Sequence, residues 1–157
     1  MVTVICISFS CGNDEVAEQS KLYQQIIKTE KGIVRGVEIN ATPDQIKQQE
    51  SKRALMDESA NYLEYEYEIT EEAFVVVTYH FDEKGCSEIS IDTYFDTPEK
   101  TTEVIAIYQK HFTAKYGKPI VEDNLNVWHN TDKTISVELD YLSQDDGEIM
   151  LTIYATD

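Results

Sequence analysis

The chemistry open to this sequence lies mostly in its carboxylates. Asp and Glu number 30 against 13 Lys and Arg, for a formal net charge of -17. Two carboxylates flanking a sugar can hydrolyse a glycosidic bond, but the spacing here singles out no such pair. His80, His111 and His129 stand far from one another, so no metal site follows from local spacing. The chain has no GxSxG, no HExxH, no glycine-rich phosphate loop and no pair of CxxC motifs. Asp145, Asp146 and Glu148 around Gly147 match only the start of a calcium loop and read as a turn. The sequence predicts no catalytic residues, no metal and no cofactor.

Binding chemistry is better represented. So acidic a body repels polyanions, which argues against nucleic acid and against direct contact with an anionic bilayer; cationic ligands, metal ions and neutral sugars stay open. Acidity also serves simply for solubility. Within the strand-like segments, the even-numbered residues are Glu64, Glu66, Phe74, Val76, His80, Asp92, Tyr94, Trp128, Glu138, Asp140, Met150 and Tyr154. If the odd-numbered set packs under helices, these side chains share the opposite sheet face. Trp128, Tyr94, Tyr154 and Phe74 with Glu66 and Asp92 then form the candidate partner-binding surface, suited to a protein, a peptide or a glycan. The competing expectation is that the helix at 14–30, or a second copy of the chain, covers this face.

The elements that must position these residues are legible. NYLEYEYEI puts Leu63, Tyr65, Tyr67 and Ile69 on one side and Glu64, Glu66 and Glu68 on the other, the alternation of a half-buried strand. AFVVVTYHF and SEISIDTYF follow around a DEKG turn, and LNVWHN, TISVELDYL and EIMLTIYAT repeat the theme later. Such short turns imply antiparallel meanders. Between the two sets lies the clearest helix, TPEKTTEVIAIYQKHFTAKYGKP, with Thr97 as N-cap, Pro98 at the first helical position and Gly117 at the end. Val104, Tyr108, Phe112 and Tyr116 mark its apolar face. Two weaker helices are predicted at 14–30, ended by Gly32, and after Thr42-Pro43, where Gln45 completes a capping box. IVRGVEI reads as a short strand broken by Gly36.

Sliding residues 61–95 by 62 positions superimposes three strands and both turns without a gap, bringing Gly85 onto Gly147 and Ile91 onto Ile153. The reading is therefore an α+β, two-layer fold. An antiparallel sheet of six or seven strands carries helices on one face and is built from a duplicated α-β-β-β unit, with repeat 1 at about 42–95 and repeat 2 at about 97–157. The TPDQ helix start after a short strand and the run from YGKP to Trp128 give this tandem a resemblance to β-lactamase-inhibitor-protein modules and to small outer-membrane-assembly lipoproteins. That resemblance implies protein binding through the sheet.

The N-terminus carries a different signal. MVTVICISFS holds no charge and is too short to span a bilayer as a helix, but it has the length of a signal-peptide core. SFSCGND resembles the processing site of bacterial lipoproteins in its relaxed Bacteroidetes form, although no Lys or Arg precedes the apolar run. The resemblance implies cleavage before Cys11 and a lipid on Cys11. Residues 1–10 would then be a signal-like segment, 11–31 a tether with an N-terminal helix, and 32–157 the duplicated domain; alternatively residues 2–9 form a first strand. Cys86 would remain as the lone thiol, with no disulfide available. The expected function is a lipid-anchored, cell-envelope binding or accessory protein without enzymatic activity, touching the membrane through its anchor. A carboxylate-based hydrolase and a structural subunit of an envelope assembly are the alternatives.

Overall fold

The computed structural model describes residues 21–71, 73–95, 97–123, 125–143 and 147–156. Eight strands form one antiparallel sheet: β1 (Leu55–Glu58), β2 (Tyr62–Thr70), β3 (Ala73–Asp82), β4 (Gly85–Tyr94), β5 (Ile120–Glu122), β6 (Leu125–His129), β7 (Ile135–Ser143) and β8 (Glu148–Ala155). With its helices this makes a mixed α+β protein that is mostly sheet. The spatial order is β1-β2-β3-β4-β8-β7-β6-β5, two four-stranded meanders joined through their last strands. The six alternating strands predicted are all present. Two short edge strands, β1 and β5, are additional, and IVRGVEI forms only an isolated bridge between Val34 and Val37.

The helices start where their caps predict. In α2 (Pro43–Gln49) the Thr42 side chain accepts from the Gln45 backbone and the Gln45 side chain accepts from the Thr42 backbone, a closed capping box. It ends at Gln49, so Ala54 and Leu55 fall outside it. In α3 (Pro98–Tyr116) Thr97 caps the start and Gly117, at φ +86, ends it. Val104, Tyr108 and Phe112 are completely buried, and His111 is buried beside them. The predicted 14–30 helix is described only from residue 21; as α1 it is helical over residues 21–26, well short of Gly32.

The core lies between these helices and one face of the sheet. Leu63, Tyr65, Val75, Val77, Tyr79, Ile89, Ile91, Val137, Leu139, Ile149, Leu151 and Ile153 line that face, each at most 2% exposed. Leu22, Ile26 and Ile27 of α1 and its following turn belong to the same cluster. The described part of the first helix therefore packs on the predicted core side. Apart from the buried Ser136, the side chains described on the opposite face are half-buried or exposed.

The gapless 62-residue offset survives in part. In β4 and β8, Ile89 pairs Ile153 and Ile91 pairs Leu151, so residues 62 apart exchange places about the Ser90–Thr152 pair. Elsewhere the offset slips. Val77 pairs Ile91 and Val137 pairs Ile153, a separation of 60 in the third strand of each meander. Tyr65 pairs Val77 and Trp128 pairs Val137, a separation of 63 in the second. An odd offset inverts the facing of every side chain in β6, so its even-numbered residues enter the core.

One device recurs in both halves. Gly85 (φ +125) lies so close to the Asn40 carbonyl, and Gly147 (φ +71) so close to the Phe95 carbonyl, that neither site has room for a Cβ. The Asn40 N–H donates to the Cys86 carbonyl at 2.7 Å and the Phe95 N–H to the Gly147 carbonyl at 3.0 Å. Asn40 and Phe95 each stand two residues before a Thr-Pro helix start, so both hairpins are pinned to the same point of the preceding connection.

Candidate functional site

Alternation and register place five of the six predicted partner-binding residues on the uncovered face and remove the sixth. Trp128 is 1% exposed and lies on the core side. Its ring centroid is 5.8 Å from that of Phe112, and its Nε1–H donates to Thr113 Oγ1 at 3.3 Å, both on α3. The expectation that Trp128 sits on the open face is therefore corrected. The cause is the inverted facing of β6: burying the largest apolar side chain outweighs keeping Leu125 and Val127 inside. Asn126 is carried in with it, 2% exposed and with an Nδ2 that has no partner.

What stays on the open face is ordered by register. One row runs Glu66, Val76, Asp92, Met150, Asp140, Leu125 and Glu122 across seven neighbouring strands. Carboxylates and apolar side chains alternate along it. Beside it lie Glu64, Thr78, Ser90, Thr152 and Glu138, and on its other side Glu68, Phe74, Tyr94 and Glu148. Phe74 and Tyr94 stack with centroids 4.7 Å apart at 24°, and Phe74 is 37% exposed, a large apolar ring in solvent. The Tyr154 hydroxyl donates to Glu138 at 2.5 Å.

No Lys or Arg lies in any of the eight strands. The nearest to a cationic partner for this face is His80, 3.9 Å from Glu88 and charged only when protonated. His80 and His129 do not meet, since β4, β8 and β7 separate their strands. Burial, with the neighbouring charges of Glu148 and Glu64, raises the Asp92 carboxyl above its ordinary value. Burial and the charges of Asp92 and Glu148 likewise raise the Tyr94 hydroxyl. No group of three or more His, Cys, Asp and Glu is placed to hold a metal ion among the described residues.

The other face holds a charge cluster that the sequence did not signal. Glu50 has a side chain with no exposure and accepts five hydrogen bonds. They come from Arg35 Nε at 2.6 Å and Nη2 at 3.1 Å, the Tyr79 and Tyr67 hydroxyls at 2.6 Å each, and Lys28 Nζ at 3.0 Å. Arg35 also donates to the carbonyls of Gln25 and Ile26 at the end of α1 and lies 4.4 Å above the Tyr67 ring. Burial alone would raise the Glu50 carboxyl, but the hydrogen bonds and charge of Arg35, aided by both tyrosines, hold it down at about 2. The cluster joins α1, the connection after α2, and β2 and β3. With Arg35 and Glu50 closed to solvent at its centre, it is structural. Arg35 and Glu50 lie 15 residues apart in segments without periodicity, so no local pattern links them.

Two further sites complete the inventory. A cleft of about 650 Å³ opens beside Lys21, where the described residues begin, over Leu22, Ile69, Ala73 and Phe95. Cys86 is buried and its thiol is pushed up to about 12 by that burial, as suits an inert core residue. Cys11, the predicted lipidation site, lies outside the described residues. No protein-family model, curated protein or solved structure matches this chain.

Proposed function

We propose that the chain is a non-enzymatic binding or accessory module, anchored in the cell envelope by a lipid on Cys11, whose open sheet face holds a protein, peptide or glycan. The observation that carries this reading is the stacked Phe74–Tyr94 pair, with Phe74 exposed and Tyr94 half-buried, on a face that no described helix covers. Phe74, Tyr94, Tyr154, Glu66 and Asp92 are its contact residues. An exposed apolar ring rimmed by carboxylates costs solubility and adds nothing to the core, which is the pattern of a surface kept for contact. We also propose that the two meanders, each with its Thr-Pro helix start, are copies of one two-layer α-β-β-β unit, on the strength of the matched Gly85 and Gly147 contacts.

Arrays of glycans and of peptides, screened with the wild type and with a Phe74→Ser/Tyr94→Ser variant, test the surface. The expected result is a retained glycan or peptide whose binding falls by about tenfold or more in the variant. Binders that ignore the substitution, or no binders at all, would contradict it. The anchor is tested apart: labelled palmitate should enter the wild type and not Cys11→Ala.

A further inference from the structure

We propose that His111 is a proton-operated latch, which holds the end of α1 and residues 27–33 on α3 while its imidazole is neutral and lets them lift when it takes up a proton. The latch lies on the helix side of the sheet and owes nothing to the open face. The ring is inside the protein, with 1% of its side chain exposed, and stands 4.9 Å from that of Phe112. Its Nε2 is 3.2 Å from the Ile33 carbonyl. A carbonyl only accepts, so Nε2 carries the hydrogen of the neutral ring and Nδ1 is left bare. Nδ1 faces the Tyr23 hydroxyl at 3.3 Å and Glu30 Oε2 at 3.6 Å. That hydroxyl has one hydrogen and donates it to Glu30 Oε1. Nδ1 is therefore a lone pair aimed at two oxygens, and it is the atom a proton would enter. Glu30, with 80% of its side chain exposed, brings this end of the cluster to the surface.

The groups facing the ring set the direction of the response. Burial opposes a charge on the imidazole, and so does Lys115, one turn further along α3; the Ile33 carbonyl and Glu30 favour it. Burial prevails and holds the imidazole below its ordinary value, because the charge of so exposed a carboxylate is weakened by water. Tyr23 brings an oxygen but no charge, since burial and Glu30 raise its hydroxyl. Once lifted, the segment leaves His111 in water, where it binds a proton more readily. The stability that the neutral ring contributes is thus complete above the ordinary histidine value and is lost as pH falls through the lowered one.

The segment itself is under strain. Lys28 (φ 67) and Arg35 (φ 54) both occupy the left-handed region, a conformation that side-chain-bearing residues keep only while their surroundings impose it. Two clamps do so. At one, Arg35 is paired with the sealed Glu50, whose carboxyl stays ionised down to about 2. At the other, His111 meets Tyr23 and the Ile33 carbonyl, and Lys115 donates to the Gly32 carbonyl. Histidine is the group among these whose charge changes near neutrality. Acid therefore loosens one end of the segment and leaves the other fixed.

The test is amide hydrogen exchange of the full chain, followed by NMR between about pH 7.5 and 5. The N–H groups of Lys28, Ile33 and Arg35 donate to the carbonyls of Tyr23, Val37 and Ile27. Their protection factors should fall with pH, by up to about tenfold per unit, the limit for a single proton. They should also lie well below those of β4 and β8, as a local opening requires. His111→Gln keeps an N–H for the Ile33 carbonyl but cannot titrate, and should abolish the pH dependence. Glu30→Gln removes the charge that favours the imidazolium, and should deepen the loss at the acid end by about twofold. Protection that ignores pH, or falls equally in His111→Gln, would overturn the latch. So would protection that rises as pH drops, because the imidazolium would then grip Tyr23 and Glu30 more tightly than the neutral ring does. Protection equal to that of β4 and β8 at every pH would mean global unfolding and would overturn it as well. Should His111→Gln fail to fold, Glu30→Gln decides: a loss that it deepens supports the latch, and a loss that it leaves unchanged or reduces overturns it.

Discussion

Glu50 and Asp92 belong to opposite sides of one sheet and are treated in opposite ways. Glu50 is sealed from water and accepts five hydrogen bonds, among them those of a guanidinium and two tyrosine hydroxyls. Asp92 faces outward among other carboxylates, with no Lys or Arg on its own or any other strand. The first arrangement serves the fold, because a buried charge is tolerable only when fully paired. The second serves the fold badly, since burial and the charges of Glu148 and Glu64 oppose its ionisation. One sheet thus carries a fully paired carboxylate on one face and an unpaired, half-buried one on the other.

Breaking the paired side should have the largest effect. Arg35→Met leaves Glu50 buried without its counter-charge and should cost about 3–5 kcal/mol in urea unfolding. Replacing both, as Arg35→Met/Glu50→Leu, should recover much of that loss; no recovery would mean that the arginine matters chiefly through its contacts with α1 and Tyr67. Trp128→Ala should cost a comparable amount, about 3–5 kcal/mol, as a core deletion. Phe74→Ala, a ring of similar kind on the open face, should cost under about 1 kcal/mol. Equal losses at the two positions would erase the difference between the faces.

The pH dependence should carry opposite signs on the two sides. The Glu50 carboxyl is held at about 2, below its ordinary 4.5. Its contribution is therefore present above the ordinary value and is lost as pH falls towards 2. Asp92 is raised, so its contribution is present below the ordinary carboxylate range and is lost as pH rises through the raised value. Urea midpoints between pH 2 and 7 should thus rise steeply at first, and Asp92→Asn should remove a small decline at the upper end. The smallest effect is Asp92→Asn itself at neutral pH, a gain of about 0.2–1 kcal/mol from relieved repulsion by the diagonal Glu148 and by Glu64. A loss of stability there would show that an unrecognised donor pairs with Asp92.

Much of this architecture was readable because it is local. Thr97, Pro98 and Gly117 bound α3, the Thr42–Gln45 box starts α2, and strict alternation marks β2, β3, β4, β7 and β8. The edge strands β1 and β5 are too short, at four and three residues, to display a period. The facing of β6 was misread for a physical reason. In Leu125-Asn126-Val127-Trp128 the alternation favours Leu and Val inside, while the tryptophan beneath α3 favours the opposite. The single larger ring prevails and Asn126 is buried with it. The Arg35–Glu50 cluster was invisible because it is assembled by tertiary contact from a bridge, a helix end and two strands. As for the open face, Phe74, Tyr94 and its acids were legible from alternation, and the burial of Trp128 was not.

The contrast between the two faces is tested most directly by following side-chain carboxyl carbons by NMR through one pH titration of the full chain. The account predicts Glu50 titrating at about 2 and Asp92 titrating above the ordinary aspartate range in the same sample. An Asp92 that titrates at or below the ordinary range would mean that a cation already pairs with it, contradicting the contrast between the two faces.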